Sequence, residues 1–136
     1  MRYVVLGAWL IQAGVGIVLL AGWIRHGRGR SAATVLTHVA LAVAGLALWA
    51  SFVMTGALLP AWSAFAVLTA VNGFGDAMLI RRHRRAVGRT TFWKDYGRAI
   101  AAVFAGRMPK HVSFHALFAG VVYFTCLGVC IGASMG

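Results

Sequence analysis

A few polar side chains in this sequence stand where chemistry would be expensive to place by accident. Asp76 lies in "VNGFGDAMLIRRHRR" (71–85), five residues ahead of Arg81 and otherwise among apolar neighbours. His115 follows Lys110 by five residues, and His38 lies a similar distance into the apolar run that contains it. A helix rises about 1.5 Å per residue, so all three sit about 7 Å inside the same end of an apolar slab. His111 precedes His115 by one helical turn and can point the same way. Gln12 lies near the middle of the first apolar run, and Asn72 one turn below Asp76. The positions Trp62, Phe65, Thr69, Asn72 and Asp76 have the three-four spacing of a helix-bundle seam.

Ionisable groups at that depth are costly unless they face a bundle interior and pair. Asp76 is therefore expected to meet His38 or His115, or to reach toward Arg81. Three chemistries remain open. The first is an interior polar seam through Gln12, Asn72 and Asp76, giving helix register to a binding or accessory subunit. The second is axial ligation of a b-type haem by His38 and His115, one from each of two facing helices. Ala42, Gly45 and Ala119 would leave room for the flat macrocycle, with Arg81 and Lys110 near its propionates. The third is a metal ion held by His111 and His115 as an i,i+4 pair, with His38 and Asp76 completing the site. A proton or small-solute path through Asp76, Asn72 and Gln12 belongs with this third class.

The elements that must position these groups are membrane-spanning helices. Of 136 residues, 61% are hydrophobic and 11% are charged, with 13 basic side chains against two acids, Asp76 and Asp95. A soluble domain of this size could not bury so much apolar surface. Runs of about 20 apolar residues read as spans, near 3–24, 33–55, 57–80 and 112–133. The expected fold is all-α: one transmembrane domain over 1–136, a polytopic membrane protein built as a four-transmembrane-helix bundle. The first run is too long for a cleavable signal, and "RHGRGR" follows it in place of a small-residue cleavage site.

Charge sets the expected orientation. Arg25, Arg28 and Arg30 lie in a loop at about 25–32, and nine more basic residues lie at about 81–111, whereas "TGALLP" and "ASMG" carry none. That asymmetry makes both basic loops cytoplasmic and both termini external. It also makes anionic lipid headgroups, not nucleic acid, the expected partner of Arg81, Arg82, Arg84 and Arg85. A homo-oligomer or a partner membrane subunit is also compatible with the sequence. Within the second loop, "FWKDYGRAIAAVFAGR" places Phe92, Trp93, Tyr96, Ile100, Val103 and Phe104 on one helical face. This predicts a short amphipathic helix in the cytoplasmic interface, between the third and fourth spans, with Asp95 and Arg98 close enough to pair. Cys126 and Cys130, one turn apart in the last span, read as small apolar filler.

The chain carries an internal echo. "IRHGR" (24–28) ends the first span and "IRRHR" (80–84) the third; "THVALA" (37–42) opens the second and "FHALFA" (114–119) the fourth. Two hairpins in the same orientation would relate by an axis along the membrane normal, with His38 and His115 as counterparts. No nucleophile triad, phosphate loop or carboxylate pair is present, so catalysis without a cofactor is not expected. Through "THVALAVAGLALWASFVMTG", "LPAWSAFAVLTAVNGFGDAML" and "FHALFAG", the chain resembles small four-span membrane proteins of unknown function from high-GC bacteria, especially actinobacteria. That resemblance implies the bacterial inner membrane and no particular activity. Through His38 and His115 it is more loosely similar to four-helix b-type cytochromes. Those commonly hold two haems, but the outer half here has no histidine, so only the site nearer the basic loops carries over.

Overall fold

The computed structural model describes residues 1–26 and 31–136. Arg28 and Arg30, assigned above to the first basic loop, lie outside the described residues. Among the described residues, five helices follow in chain order: α1 (Arg2–His26), α2 (Ala32–Thr55), α3 (Leu58–Val87), α4 (Phe92–Phe104) and α5 (Lys110–Met135). All but α4 are long and apolar enough to cross a membrane. The four spans form a bundle in which α1, α2, α3 and α5 are neighbours in a ring. Across the diagonal, no Cα of α2 comes within 8 Å of a Cα of α5 among the described residues.

The α2–α3 hairpin is the most intimate pair in the bundle. Its turn is made at Gly56, whose φ of 72° is left-handed and whose N–H caps the Phe52 carbonyl. Pro60 falls in the first turn of α3, where its missing N–H leaves no intrahelical bond unmade. Small residues, Ala61 and Ala64, form the start of the buried stripe of α3 and let the neighbouring backbones approach.

The core divides in two along the bundle. Away from the arginine-rich end, Trp9, Trp49, Phe52, Leu68, Val122, Cys126 and Cys130 pack together. Trp9 and Trp49 lie 6.2 Å apart between ring centroids, and the Trp49 indole N–H donates to the Arg2 carbonyl at 3.2 Å. Gly45 is buried beneath Trp9: a Cβ there would come 3.0 Å from the indole Cζ2. The two cysteines are free and fully buried, as the filler reading expects. Toward the arginine-rich end, Leu79, Ala99, Ala102, Val103 and Met108 make a smaller cluster joining α3 and α4 to the start of α5.

Several local expectations need correction. The helix of the third span does not stop near residue 80; it continues through the arginines to Val87. Arginine is a good helix former, and nothing in 81–87 breaks a helix before Gly88. The amphipathic helix exists as α4, but it is turned differently. Asp95, Ala99, Ala102 and Val103 face inward, while Phe92, Trp93 and Phe104 are 53%, 78% and 74% exposed. Its small residues permit close packing on α3, which leaves the large aromatics outside. The seam of α3 is likewise displaced. Its buried stripe is Ala61, Ala64, Leu68, Val71 and Leu79, whereas Trp62 and Thr69 are exposed. The expected face instead runs along the rim beside α5, where Trp62 Nε1 donates to Ser134 Oγ at 3.1 Å and Phe65 packs on Tyr123.

Candidate functional site

His38 and His115 meet. Their ring centroids are 6.3 Å apart with planes at 63°, although no Cα of α2 comes within 8 Å of a Cα of α5 among the described residues. The rings bridge the diagonal of the bundle. His38 Nδ1 lies 3.0 Å from the Val71 carbonyl of α3. A carbonyl only accepts, so Nδ1 carries the proton and Nε2 holds the lone pair. That Nε2 has no hydrogen bond among the described residues. His115 Nδ1 is buried and also has no partner among them. Its backbone carbonyl accepts a 2.8 Å hydrogen bond from Gln12 Nε2 of α1, while Gln12 Oε1 is buried and unmet.

Each ring is backed by a glycine of a neighbouring helix. A Cβ on Gly75 of α3 would lie 3.5 Å from His38 Cε1, and one on Gly16 of α1 would lie 3.5 Å from His115 Cε1. The same atom meets the same backbone feature in both halves, which gives the internal echo a spatial counterpart. The two glycines differ by about one helical turn in register against the echoed basic ends. Neither glycine stands out in the sequence: among the glycines of α1, nothing local marks the one that faces a histidine.

The remaining candidates sit elsewhere. Asp76 does not pair with a histidine or with Arg81: its Oδ2 accepts from the Tyr96 hydroxyl of α4 at 3.3 Å. Burial, and then the Asp76 carboxylate, push the Tyr96 hydroxyl up from its ordinary value, so it stays protonated and donates. Arg81 donates instead to Thr34 Oγ1 at 2.8 Å, near the start of α2. His111 is exposed while His115 faces inward. Among the described residues, no three histidine, cysteine or acidic side chains gather closely enough to hold a metal ion, so His38, Asp76, His111 and His115 do not form one ligand set. Asn72 is half-buried, and no hydrogen bond joins Gln12 to Asn72 or Asp76 among the described residues. Gly45 serves the Trp9 indole instead of leaving room near the histidines.

Asp95 pairs not with Arg98 but with Arg84, whose Nε lies 2.6 Å from Oδ2. Thr90 adds its backbone N–H at 3.1 Å and its hydroxyl at 2.6 Å, both to Oδ1. The carboxylate is 1% exposed because these ligands cover it near the surface, not because it is sunk in the core. This clasp ties α4 to the end of α3, and it corrects the reading of Arg84 as a free headgroup contact. The Thr90 hydroxyl, together with Arg84 and the Thr90 N–H, holds the Asp95 carboxyl below its ordinary value against the opposing effect of burial. A depressed carboxyl stabilises the fold above its unfolded value, about 3.9, and that contribution is lost as pH falls through the folded value. The protection factors of α4 amides, which are corrected for the intrinsic pH dependence of exchange, should therefore be flat from pH 7 down to the ordinary carboxylate range and fall below it. A fall already complete at pH 6 would show that another group docks α4.

No family model, curated protein or solved structure matches the chain. What the site does must be argued from its own geometry.

Proposed function

We propose that the chain is a membrane-embedded four-helix protein that binds a b-type haem between His38 and His115. The observation that carries this reading is the histidine pair itself: two interior rings, from diagonally opposed helices, 6.3 Å apart between centroids. His38 and His115 would be the residues that hold the iron, each through a ring nitrogen. Two protein ligands suffice for a haem iron, whereas a tetrahedral metal site needs more than this pair supplies. Val71 orients His38 and fixes its tautomer, the second-sphere role that ligating histidines commonly require. Gly16 and Gly75 let each ring lie close against a neighbouring helix. Of the four neighbouring span pairs, α1 and α2 touch least, which makes their seam the easiest to open for a macrocycle. When bound, a haem supplies one-electron transfer; the protein's part is to hold and orient it and to keep water away.

The test is an absorbance spectrum with elemental analysis on protein purified from its native membrane. The expected result is a Soret band that shifts on reduction, with about one iron per chain, as two axial histidines allow only one haem at this site. A colourless, metal-free preparation that also fails to take up added haemin would remove the reading. It would leave the second one: an accessory subunit in which Gln12–His115 and His38–Val71 are structural clamps between hairpins. A solute carrier would also be colourless, but would lose flux in vesicles on Asp76→Asn.

The orientation proposed with this function places the arginine-rich end in the cytoplasm of a bacterial inner membrane and both termini outside. Single cysteines at Ala86 and Met135, both exposed, should label from opposite sides, residue 86 from the cytoplasm. Labelling of both from one side would overturn the topology.

A further inference from the structure

Beside the Arg84–Asp95 clasp, the end of α3 and the α4–α5 connection enclose a cavity of about 240 Å³. Arg82 and His83 line it from α3, Ala102 from α4, and Arg107, Met108 and Pro109 from the connection. None of these belongs to the histidine pair described above. His83 is 8% exposed, and its Nε2 is buried with no hydrogen-bond partner among the described residues. A buried polar nitrogen left unmet costs on the order of 1–3 kcal/mol, so a cavity beside it is a place where a partner belongs. Neither Arg82 nor Arg107 has an ion pair among the described residues, and no acidic side chain lines the cavity.

The backbone holds these groups firmly. Gly106, at φ 66°, ends α4 in a left-handed turn in which the Arg107 N–H bonds to Ala102 O and the Gly106 N–H to Val103 O. This paired closure fixes the direction in which Arg107 leaves the helix. Helix termini bring opposing partial charges: the last turn of α3 presents about half a negative charge, and the first turn of α5, following Pro109, about half a positive one. These offset each other, and two whole arginine charges decide the sign of the field.

We propose that Arg82, His83 and Arg107 form a phosphate-binding site. The arginines supply forked N–H donors and the charge, His83 Nε2 supplies a third donor, and Ala102, Met108 and Pro109 supply an apolar wall. The ligand chemistry is a phosphate group, carried either by an anionic lipid headgroup or by a soluble phosphate. The site differs from diffuse headgroup attraction, in which any exposed arginine counts equally.

Native mass spectrometry of the full chain in detergent provides the test, with phosphatidylglycerol, phosphatidylcholine and inorganic phosphate as probes. The wild type should retain one phosphatidylglycerol in preference to phosphatidylcholine. The exposed pair Arg82→Gln with Arg107→Gln should lower that retention at least about ten-fold. Arg25→Gln with Arg85→Gln removes the same charge from exposed positions outside the cavity and should have little effect. Displacement of the lipid by millimolar phosphate would assign the site to a soluble ligand, and resistance to displacement to a headgroup. Equal losses in the two double variants, or equal retention of the two lipids, would overturn the proposal. His83→Leu, which removes the donor, should weaken retention as well; the arginine pair decides the matter if that variant does not fold.

Discussion

On the proposed haem-binding reading, replacing His38 or His115 by alanine is expected to abolish haem absorbance while leaving the helices and monodispersity of the protein intact. The two residues are balanced between ligand and structural roles, and magnitudes separate the roles. As a structural group, His38 contributes one hydrogen bond, to a carbonyl that also belongs to the helical ladder of α3. Side-chain hydrogen bonds between membrane helices average about 0.6 kcal/mol, so its loss alone should barely change the melting temperature. As a haem ligand, each histidine would be half of the iron's attachment to the protein, and its loss should empty or weaken the site. Gln12→Leu is the control. It removes the α1–α5 hydrogen bond to the His115 carbonyl but keeps both rings, so the Soret band should persist. A variant series in which all three substitutions reduce the band equally, in step with lost stability, would place the histidines among the packing residues.

Gly45→Val is expected to be the most damaging single substitution in the packed half of the bundle. Even a Cβ would stand 3.0 Å from Trp9 Cζ2 and 3.3 Å from Val67 Cγ1, and valine adds two further methyl groups. Trp9 is 3% exposed and packs on the fully buried Trp49, so the indole has little room to move aside. Overpacking of this kind costs about 1–3 kcal/mol. The α1–α2 seam is already thin, so the strain should appear as loss of α1 docking, read as a lower unfolding midpoint in a detergent titration. Gly75→Ala is the contrast: its Cβ would meet His38 only at an ordinary 3.5 Å, and alanine is the better helix former. It should be neutral or mildly stabilising. An unchanged midpoint for Gly45→Val would mean that Trp9 does not rest on Gly45 in the membrane.

Much of the architecture was legible in the chain because bilayer physics acts on composition over long windows. Twenty apolar residues make a span whatever their neighbours, so four spans and a fifth amphipathic helix follow from counting. The shared level of His38, Asp76 and His115 follows in the same way, because rise per residue is a local quantity. The end of α3 was less legible. Arginine marks where apolar sequence stops, but not where hydrogen-bonded helix stops, and the helix continues seven residues past Ile80.

Which side chains meet was settled only by tertiary packing. His38 and His115 come together, while Asp76, at the same level, turns to Tyr96. Level along a helix is set by residue number, but azimuth toward a partner depends on how the helices rotate against one another. That rotation answers to small residues spread over the whole interface. Ala61, Ala64 and Leu68 turn α3 so that its expected polar seam falls on the rim beside α5, and Ala99 with Ala102 turns α4 so that Phe92, Trp93 and Phe104 face outward. Asp95 shows the same division. With two acids among 13 basic residues, an arginine partner could be expected for it, and the neighbour three residues on was the local choice. The choice of Arg84 instead required α4 to fold back against the extension of α3, a contact between elements that no local spacing encodes.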